Sequence, residues 1–356
     1  MFDFDGLVLK PTTNLSEITS LSQDPVLVND HISTFTLSDG EKSKAHNSSF
    51  DNVVSLNPSS TFIFDHYIHL DNIPNAIFLN YFFLITVREF IPTYIFLPKE
   101  REVTNHFTTL INRMRPTRAL VSCWVANKCR TIPFEYSLHK NSELLGQILL
   151  ATDSYGLRTN RLLQPNFYDT DCIASKDQKV VKFTSNLDNF LSIRKQFYNQ
   201  SVLSLVTEPP FNELGIMFTE KTIQAWYAGH FVIWVGGYKA AEYAKKLGFD
   251  TFDDIIDHSY QYIEDPVNRS IMSLVLNKDL IFNLTRQKEL YVNHYDRIEQ
   301  NVLLLKDINR LKQNTININD AVMWDKFSNN PHNTLYQQWE KNLFVNEEYT
   351  VYTRIS

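Results

Sequence analysis

The chain has 356 residues, of which 43% are hydrophobic and 21% are charged, and its formal net charge is −6. This length suits two domains that each bury a core, and the composition excludes an intrinsically disordered chain. The negative net charge excludes a global attraction to nucleic acid, although local basic patches remain compatible with it.

The N-terminus, the apolar segments and the cysteines predict a cytoplasmic protein. The chain begins with acidic residues, where a secretory signal is basic and then apolar. The most apolar segment, 76–87, is interrupted by Asn80 and is shorter than the roughly 20 residues of a membrane-spanning helix, so we expect it to form core. The cysteines show neither a paired framework nor the spacing of a zinc knuckle, and we interpret them as reduced thiols: Cys123, Cys129 and Cys172.

The first part of the chain predicts short strands and loops around a modest core. Residues 1–60 are rich in Ser, Asn and Asp, and a β-rich run over 61–64 leads directly to Asp65. Residues 101–118 are polar and basic, and we place the crossing between two domains there.

The second half alternates strands and helices, which predicts an α/β fold with a doubly wound parallel sheet. The near-continuous apolar run 119–126 is typical of a parallel strand that is covered on both faces. The elements expected in chain order are a strand over 119–126, a helix with Pro133 in its first turn, a strand over 202–206, a helix capped by Thr219, a strand over 231–235 and a helix over 238–247 that ends at Gly248.

Polar side chains follow these predicted strands. Asn127 and Arg130 come after the first strand, Glu208 follows the second, and Glu220 and Lys221 open the next helix. Ligands of doubly wound sheets bind at the carboxyl ends of the strands. The sequence therefore predicts a binding site in which these side chains converge.

The start of the helix after Thr219 suits a nucleotide diphosphate. Thr219 can cap the helix, and the free N–H groups of its first turn favour anions. Glu220 can accept hydrogen bonds from ribose hydroxyls, and Lys221 can neutralise a phosphate. Acidic residues are also common in the first turn of ordinary helices, so a capped surface helix remains the alternative.

Taken together, these segments resemble the donor domain of the α-1,3-fucosyltransferase family, over roughly residues 119–282. The matching residues are Val125-Ala126-Asn127, Arg130, Phe134–Leu138, Thr207-Glu208, Thr219–Ala225 and Val232–Gly236. A later run, 247–260 with Asp265 and Arg269, resembles a viral and bacterial branch of fucosyltransferase-like proteins. The resemblance implies the GT-B architecture, in which two Rossmann-like domains face a cleft, and sugar transfer from a nucleotide sugar with inversion at the anomeric carbon.

The resemblance also implies a donor site. Its members are expected to be Asn127, Arg130, Thr219, Glu220 and Lys221. Glu220 would hold the ribose, and Lys221 and Arg130 would neutralise the diphosphate as the glycosidic bond breaks. Viral relatives carry a second arginine shortly after the Arg130 position, which this chain lacks; Arg130 and Lys221 then act alone or with Arg118 or Lys128.

Two carboxylates are expected to serve the reaction itself. Glu208 lies where the family has a carboxylate next to the sugar-binding surface. The family's general base is a carboxylate of the N-terminal domain, and Asp65 is the candidate here because it follows a predicted strand.

The implied domain organisation has three parts. Residues 1–116 would bind the acceptor, and residues 117–295 would form the Rossmann-like domain that binds the nucleotide sugar. Residues 296–356 would form a helical extension that packs back on the N-terminal domain.

Two possible metal sites are disfavoured. Asp169-Thr170-Asp171 has the form that binds Mn²⁺ in another glycosyltransferase architecture, but no apolar strand precedes it, so we interpret it as a solvated loop. His66 and His69 can share a helix face, yet no third zinc ligand is evident. We expect a metal-independent enzyme.

The acceptor is the most open part of the prediction. The basic run Arg101, Arg113, Arg115, Arg118, Lys128 and Arg130, together with the resemblance to a viral branch, favours hydroxymethylated pyrimidines in viral DNA, with the protein in the host cytoplasm. The first alternative is a glycosyltransferase that acts on a saccharide. The second alternative is a non-catalytic protein that binds a nucleotide sugar. The donor is GDP- or UDP-linked. An unrelated nucleotide hydrolase is disfavoured because no Gly-rich phosphate loop is present among only 9 glycines.

Overall fold

The structure is a computed structural model. It describes residues 26–28, 62–64, 67–68, 76–90, 98–111, 118, 120–121, 124, 132, 135–138, 198–208 and 215–329.

In the described residues all strands lie before residue 235, and most of the helices follow it. The strands are β1 (Val26–Val28), β2 (Phe62–Phe64), β3 (Tyr67–Ile68), β4 (Ala76–Phe78), β5 (Thr108–Ile111), β6 (Glu135–Leu138), β7 (Leu203–Val206), β8 (Gly215–Ile216) and β9 (Phe231–Trp234). The α-helices are α1 (Tyr81–Phe90), α2 (Glu220–Tyr227), α3 (Ala240–Lys246), α4 (Pro266–Leu276), α5 (Lys278–Ile281), α6 (Leu284–Asn293), α7 (Tyr295–Lys306), α8 (Ile308–Ile318) and α9 (Ala321–Ser328). A 3₁₀ helix covers Ser259–Tyr262.

The larger sheet is parallel and has the strand order β6-β5-β7-β9. The chain starts in β5, adds β6 on one side, and then adds β7 and β9 on the other. The point where this direction reverses, between β5 and β7, is where doubly wound sheets bind ligands. Strands β7 and β9 are buried along their whole length, which confirms the strands predicted over 202–206 and 231–235.

Two predicted elements of this sheet are wrong. In the apolar run 119–126, the described residues Leu120, Val121 and Trp124 are helical rather than extended. Val121 is buried and Trp124 packs against the core. An apolar run of this kind does not distinguish a buried helix from a buried strand. Of the helix expected from Pro133, the described residues Glu135–Leu138 form β6 instead; β6 pairs with β5, a partner that local periodicity does not reveal.

A second parallel sheet, with the order β1-β2-β4, comes from the N-terminal part of the chain. Asn80, in the left-handed region with φ of 51°, separates β4 from α1. The apolar segment 76–87 is core, as expected: Ile77, Phe83 and Leu84 are buried. Strands β3 and β8 form a separate antiparallel pair.

Helices near the C-terminus contact the N-terminal sheet and α1. Asn319, which follows α8, accepts a hydrogen bond from the Phe78 N–H (2.6 Å) and donates one to the Phe78 carbonyl (2.9 Å), so its amide pairs with β4 as a strand would. The Tyr227 hydroxyl donates to the carbonyls of Val87 and Leu305, both at 3.3 Å. Helix α2 thereby bridges α1 and α7.

The described residues thus form a mixed α/β fold with parallel sheets. Strand β5 precedes the expected boundary at 116–117 but pairs with β6 and β7, which follow it. The three-part division and the GT-B architecture stay predictions. In the part of the chain that the structure describes, every helix is too short or too polar to cross a bilayer.

Candidate functional site

Four charged side chains meet at the carboxyl end of β7, beside the strand-order reversal. We call Arg118, Glu208, Glu220 and Lys221 the β7–α2 cluster. Glu208 follows β7 directly, Glu220 and Lys221 begin α2, and Arg118 reaches the loop after β7. Two cations therefore balance two carboxylates in a largely buried site.

Helix α2 begins as the sequence predicts. Thr219 is its N-cap, with an extended backbone (φ −100°, ψ −175°), and its hydroxyl accepts a hydrogen bond from the Lys221 N–H at 3.4 Å. The prediction that Thr219 caps this helix is confirmed. Because most of α2 is buried, it is not the capped surface helix of the alternative interpretation.

Aromatic packing fixes the position of α2. Phe218, immediately before the cap, stacks on Tyr243 (ring centroids 5.1 Å apart) and on Trp234 (5.5 Å). Within the helix, Trp226 stacks on Phe249 at 3.9 Å. These contacts press the helix against β9 and α3, so its first turn has little freedom to move.

Glu208 occupies the helix start that was expected to receive phosphate. Its Oε1 accepts hydrogen bonds from the Thr219 N–H (2.9 Å), the Thr222 N–H (3.3 Å) and the Thr222 hydroxyl (2.6 Å). Its Oε2 accepts one from the Thr219 hydroxyl (2.5 Å). The anion at this N-terminus is therefore the protein's own carboxylate. Burial raises the pKa of Glu208, although Lys221 and the two threonines oppose that shift.

Glu220 and Lys221 form an ion pair in which the Lys221 ammonium donates to Glu220 Oε1. The side chains are only 14% and 9% exposed. Burial alone raises the pKa of Glu220. The positive charges of Lys221 and, to a lesser extent, Arg118 outweigh burial and leave that pKa below its ordinary value. Glu220 is therefore ionised at neutral pH.

Arg118 holds the loop after β7. It is 4% exposed, and its Nε and Nη2 lie 3.3 and 3.5 Å from the Thr207 hydroxyl and carbonyl oxygens. Its positive charge also lowers the pKa of Glu220. Arg118, an optional helper in the sequence prediction, is thus placed in the cluster with Glu220.

The loop after β9, at the same edge of the sheet, is fixed by Arg269. The Arg269 guanidinium donates to the carbonyls of Gly236 (2.8 Å), Ile263 (2.6 Å) and Glu264 (3.0 Å). Burial lowers the pKa of Arg269 to about 10. Asp265 caps α4 by accepting from the Asn268 N–H at 2.7 Å. Both residues of the viral-branch pattern therefore form local structural contacts.

The basic run expected to guide DNA is partly buried. The Arg101 Nη1 donates to the carbonyls of Tyr198 (3.3 Å) and Ala228 (3.1 Å), and its guanidinium lies 4.3 Å from the centre of the Tyr291 ring. The guanidinium groups of Arg101 and Arg118 are both bound to oxygens of the protein, unlike the phosphate-binding cations expected of the basic run.

Several predicted residues lie outside the described residues. They are Asp65, His66, His69, Arg113, Arg115, Asn127, Lys128, Arg130, Asp169 and Asp171. Among the residues that the structure describes, no group of three or more His, Cys, Asp or Glu side chains is arranged to hold a metal ion.

Sequence reasoning missed the threonines that bind Glu208. Thr219 and Thr222 lie 11 and 14 positions after it, and the Trp234 indole donates to the Thr222 hydroxyl at 3.0 Å. One signal was available: hydroxyl residues at the cap and the third helical position offer two donors to one carboxylate. The distant partner itself has no local signature.

No protein-family model matches the chain, and no curated protein or solved structure matches it either. The resemblance to fucosyltransferases therefore stays a prediction.

Proposed function

We propose that the protein is a nucleotide-sugar-dependent inverting glycosyltransferase. The observation that carries the proposal is the β7–α2 cluster, a largely buried set of paired charges at the reversal of strand order. Buried charges are costly in a protein core, and they are concentrated at sites that bind charged ligands.

In this proposal Glu220 accepts hydrogen bonds from the donor's ribose, and Lys221 neutralises the diphosphate together with Arg130. Transfer forms a bond between the acceptor oxygen and the anomeric carbon, and it breaks the bond from that carbon to the phosphate oxygen. The bonding electrons go to the departing diphosphate, and fixed cations stabilise this growing charge without a metal ion. Arg130 and Asn127 complete the donor site, and Asp65 takes the acceptor proton.

The acceptor in this proposal is a saccharide, with hydroxymethylated pyrimidine in DNA as the second candidate. Arg101 is half-buried and bound to the carbonyls of Tyr198 and Ala228, and Arg118 is buried, so two of the six cations that favoured DNA are engaged within the protein. The four others lie outside the described residues. The net charge of −6 opposes a polyanionic acceptor.

The test is a thermal-shift screen with free GDP and UDP, each with EDTA present. A nucleotide that binds the folded state raises the melting temperature by mass action. Lys221→Met should abolish the shift, and Lys246→Met, which changes an exposed lysine paired with Glu242, should retain it. The proposal is wrong if neither nucleotide shifts the parent, or if the two variants respond alike.

A nucleotide that binds is then offered as GDP- or UDP-sugars with an acceptor mixture. Sugar transfer distinguishes an enzyme from a nucleotide-sugar-binding protein. Activity lost with EDTA and restored by Mn²⁺ would contradict the metal-independent scheme and point to Asp169 and Asp171.

A further inference from the structure

We propose that Glu208 is a positioning residue: it sets the places of Glu220 and Lys221 by holding the first turn of α2, and it does not contact the sugar. The inference rests on the proposed function for its effect on the donor. Its structural part concerns only contacts within this chain.

The geometry brackets the two charged residues. Glu208 makes two hydrogen bonds to Thr219 and two to Thr222, all between 2.5 and 3.3 Å. Glu220 and Lys221 are the only two residues between these threonines. One carboxylate thus fixes the backbone on both sides of the proposed donor-binding pair.

The anchor also extends to the next strand. The Trp234 Nε1 donates to the Thr222 hydroxyl (3.0 Å), which in turn donates to Glu208. Because Glu208 follows β7 and Trp234 ends β9, the first turn of α2 is tied to two adjacent strands of the sheet. These ties fix the direction in which Glu220 and Lys221 leave the helix.

Little of the Glu208 carboxylate is open to a sugar hydroxyl. The residue is 7% exposed, and its Oε1 already accepts three hydrogen bonds and its Oε2 one, all from Thr219 and Thr222. A sugar hydroxyl would have to compete with these four donors.

The first measurement needs no nucleotide. Lys221 is labelled with acetic anhydride and quantified by mass spectrometry in the parent, Glu208→Gln, Glu208→Ala and the control Glu242→Gln. Gln keeps the shape of the side chain but places an amide donor against a threonine hydroxyl, so it preserves the fold better than Ala. We expect Lys221 to be labelled severalfold faster in both Glu208 variants, because its side chain, 9% exposed, loses its fixed position. Unchanged labelling overturns the inference.

The second measurement uses the nucleotide found in the screen. For Glu208→Gln we expect its Kd to rise about tenfold, which corresponds to about 1.4 kcal/mol. We expect kcat at saturating donor to fall as well, because Lys221 also stabilises the charge that grows on the departing diphosphate. A fall in kcat with unchanged Kd would place Glu208 in the reaction and overturn the inference.

Failure of the proposed function has a different result. In that case no nucleotide binds the parent, while the labelling of Lys221 still decides whether Glu208 positions it. Glu242→Gln, on the exposed surface pair with Lys246, should match the parent in both measurements.

Discussion

Lys221 and Glu220 neutralise each other in a site that water barely reaches. Removing one partner of such a pair leaves an uncompensated buried charge, which costs far more than the pair contributes. The same residues are proposed to bind donor, so their effects on stability and on binding must be separated.

We predict that Lys221→Met lowers the free energy of unfolding by about 3 kcal/mol, because Glu220 is left unpaired in the interior. The double change Lys221→Met with Glu220→Gln should recover most of this loss. The matched control is Lys246→Met with Glu242→Gln, a surface pair at 3.3 Å whose loss should cost less than about 1 kcal/mol. The free energy of unfolding of each variant is measured by urea unfolding. If the losses of the two single variants simply add in the double variant, Glu220 and Lys221 are not coupled.

The same pair predicts a pH dependence. The pKa of Glu220 is lower in the folded protein than its ordinary value of 4.5, so the folded state binds fewer protons between the two values. The stability that Glu220 contributes is therefore complete above that ordinary value and is lost as the pH falls through the folded pKa.

Comparison with Glu220→Gln isolates this contribution. Below the ordinary value, the unfolding free energy of the parent should fall more steeply with acid than that of the variant, because Gln does not titrate. Parallel curves would mean that the pKa of Glu220 is unshifted. Glu208 contributes with the opposite sign, because its pKa is raised, and this contribution is smaller in the variant because the charge of Glu220 is one cause of that raised pKa.

At the scale of elements, the sequence correctly predicts the strands, caps and helix ends whose signals are local. The apolar strands over 202–206 and 231–235, the Thr219 cap and the helix stopped by Gly248 agree with the structure, since each depends on neighbours in sequence. Gly248, with φ of +94°, ends α3 in a conformation that other residues rarely adopt.

Elements that depend on distant partners were missed. Strand β6 forms because it pairs with β5. The helical residues around Trp124 are placed by packing against the core, which the pattern of the segment does not reveal. The same reason applies to the site. The sequence predicts that Thr219 caps a helix, but it does not predict that Thr219 binds Glu208. Propensity is a weak guide where tertiary contacts decide.

Asn319 gives a prediction for the junction between α8 and β4. Its amide satisfies both backbone groups of Phe78, so Asn319→Ala should leave them without these partners and cost about 2 kcal/mol of unfolding free energy. The control is Asn317→Ala, whose exposed side chain bonds only Gln313 among described side chains and should change stability little. If Asn319→Ala and Asn317→Ala lower stability equally in thermal unfolding, the contacts of Asn319 with Phe78 contribute no more than those of a residue on the helix surface.

At the scale of the whole molecule, the charge distribution bears on the proposed acceptor. The chain carries a net charge of −6, and the two described arginines of the basic run are bound to internal oxygens. A protein that tracks a phosphate backbone exposes its cations, and its binding weakens steeply with salt because counterions are released. We therefore do not expect Arg101 or Arg118 to bind DNA phosphates or to make binding depend on salt.

We therefore predict that the sugar goes to a saccharide and that transfer changes little between about 50 and 200 mM salt. The assay offers the donor with a saccharide mixture, hydroxymethylated DNA and unmodified DNA as a control. Replacing both Arg113 and Arg115 with Gln should leave transfer to the saccharide unchanged, because a neutral acceptor gains nothing from surface cations. Sugar that appears only on hydroxymethylated DNA, with a rate that falls steeply with salt and with the double replacement, would reverse the choice. The donor site at α2 would then serve the DNA reaction with the same Glu220 and Lys221, since both acceptors attack the same anomeric carbon.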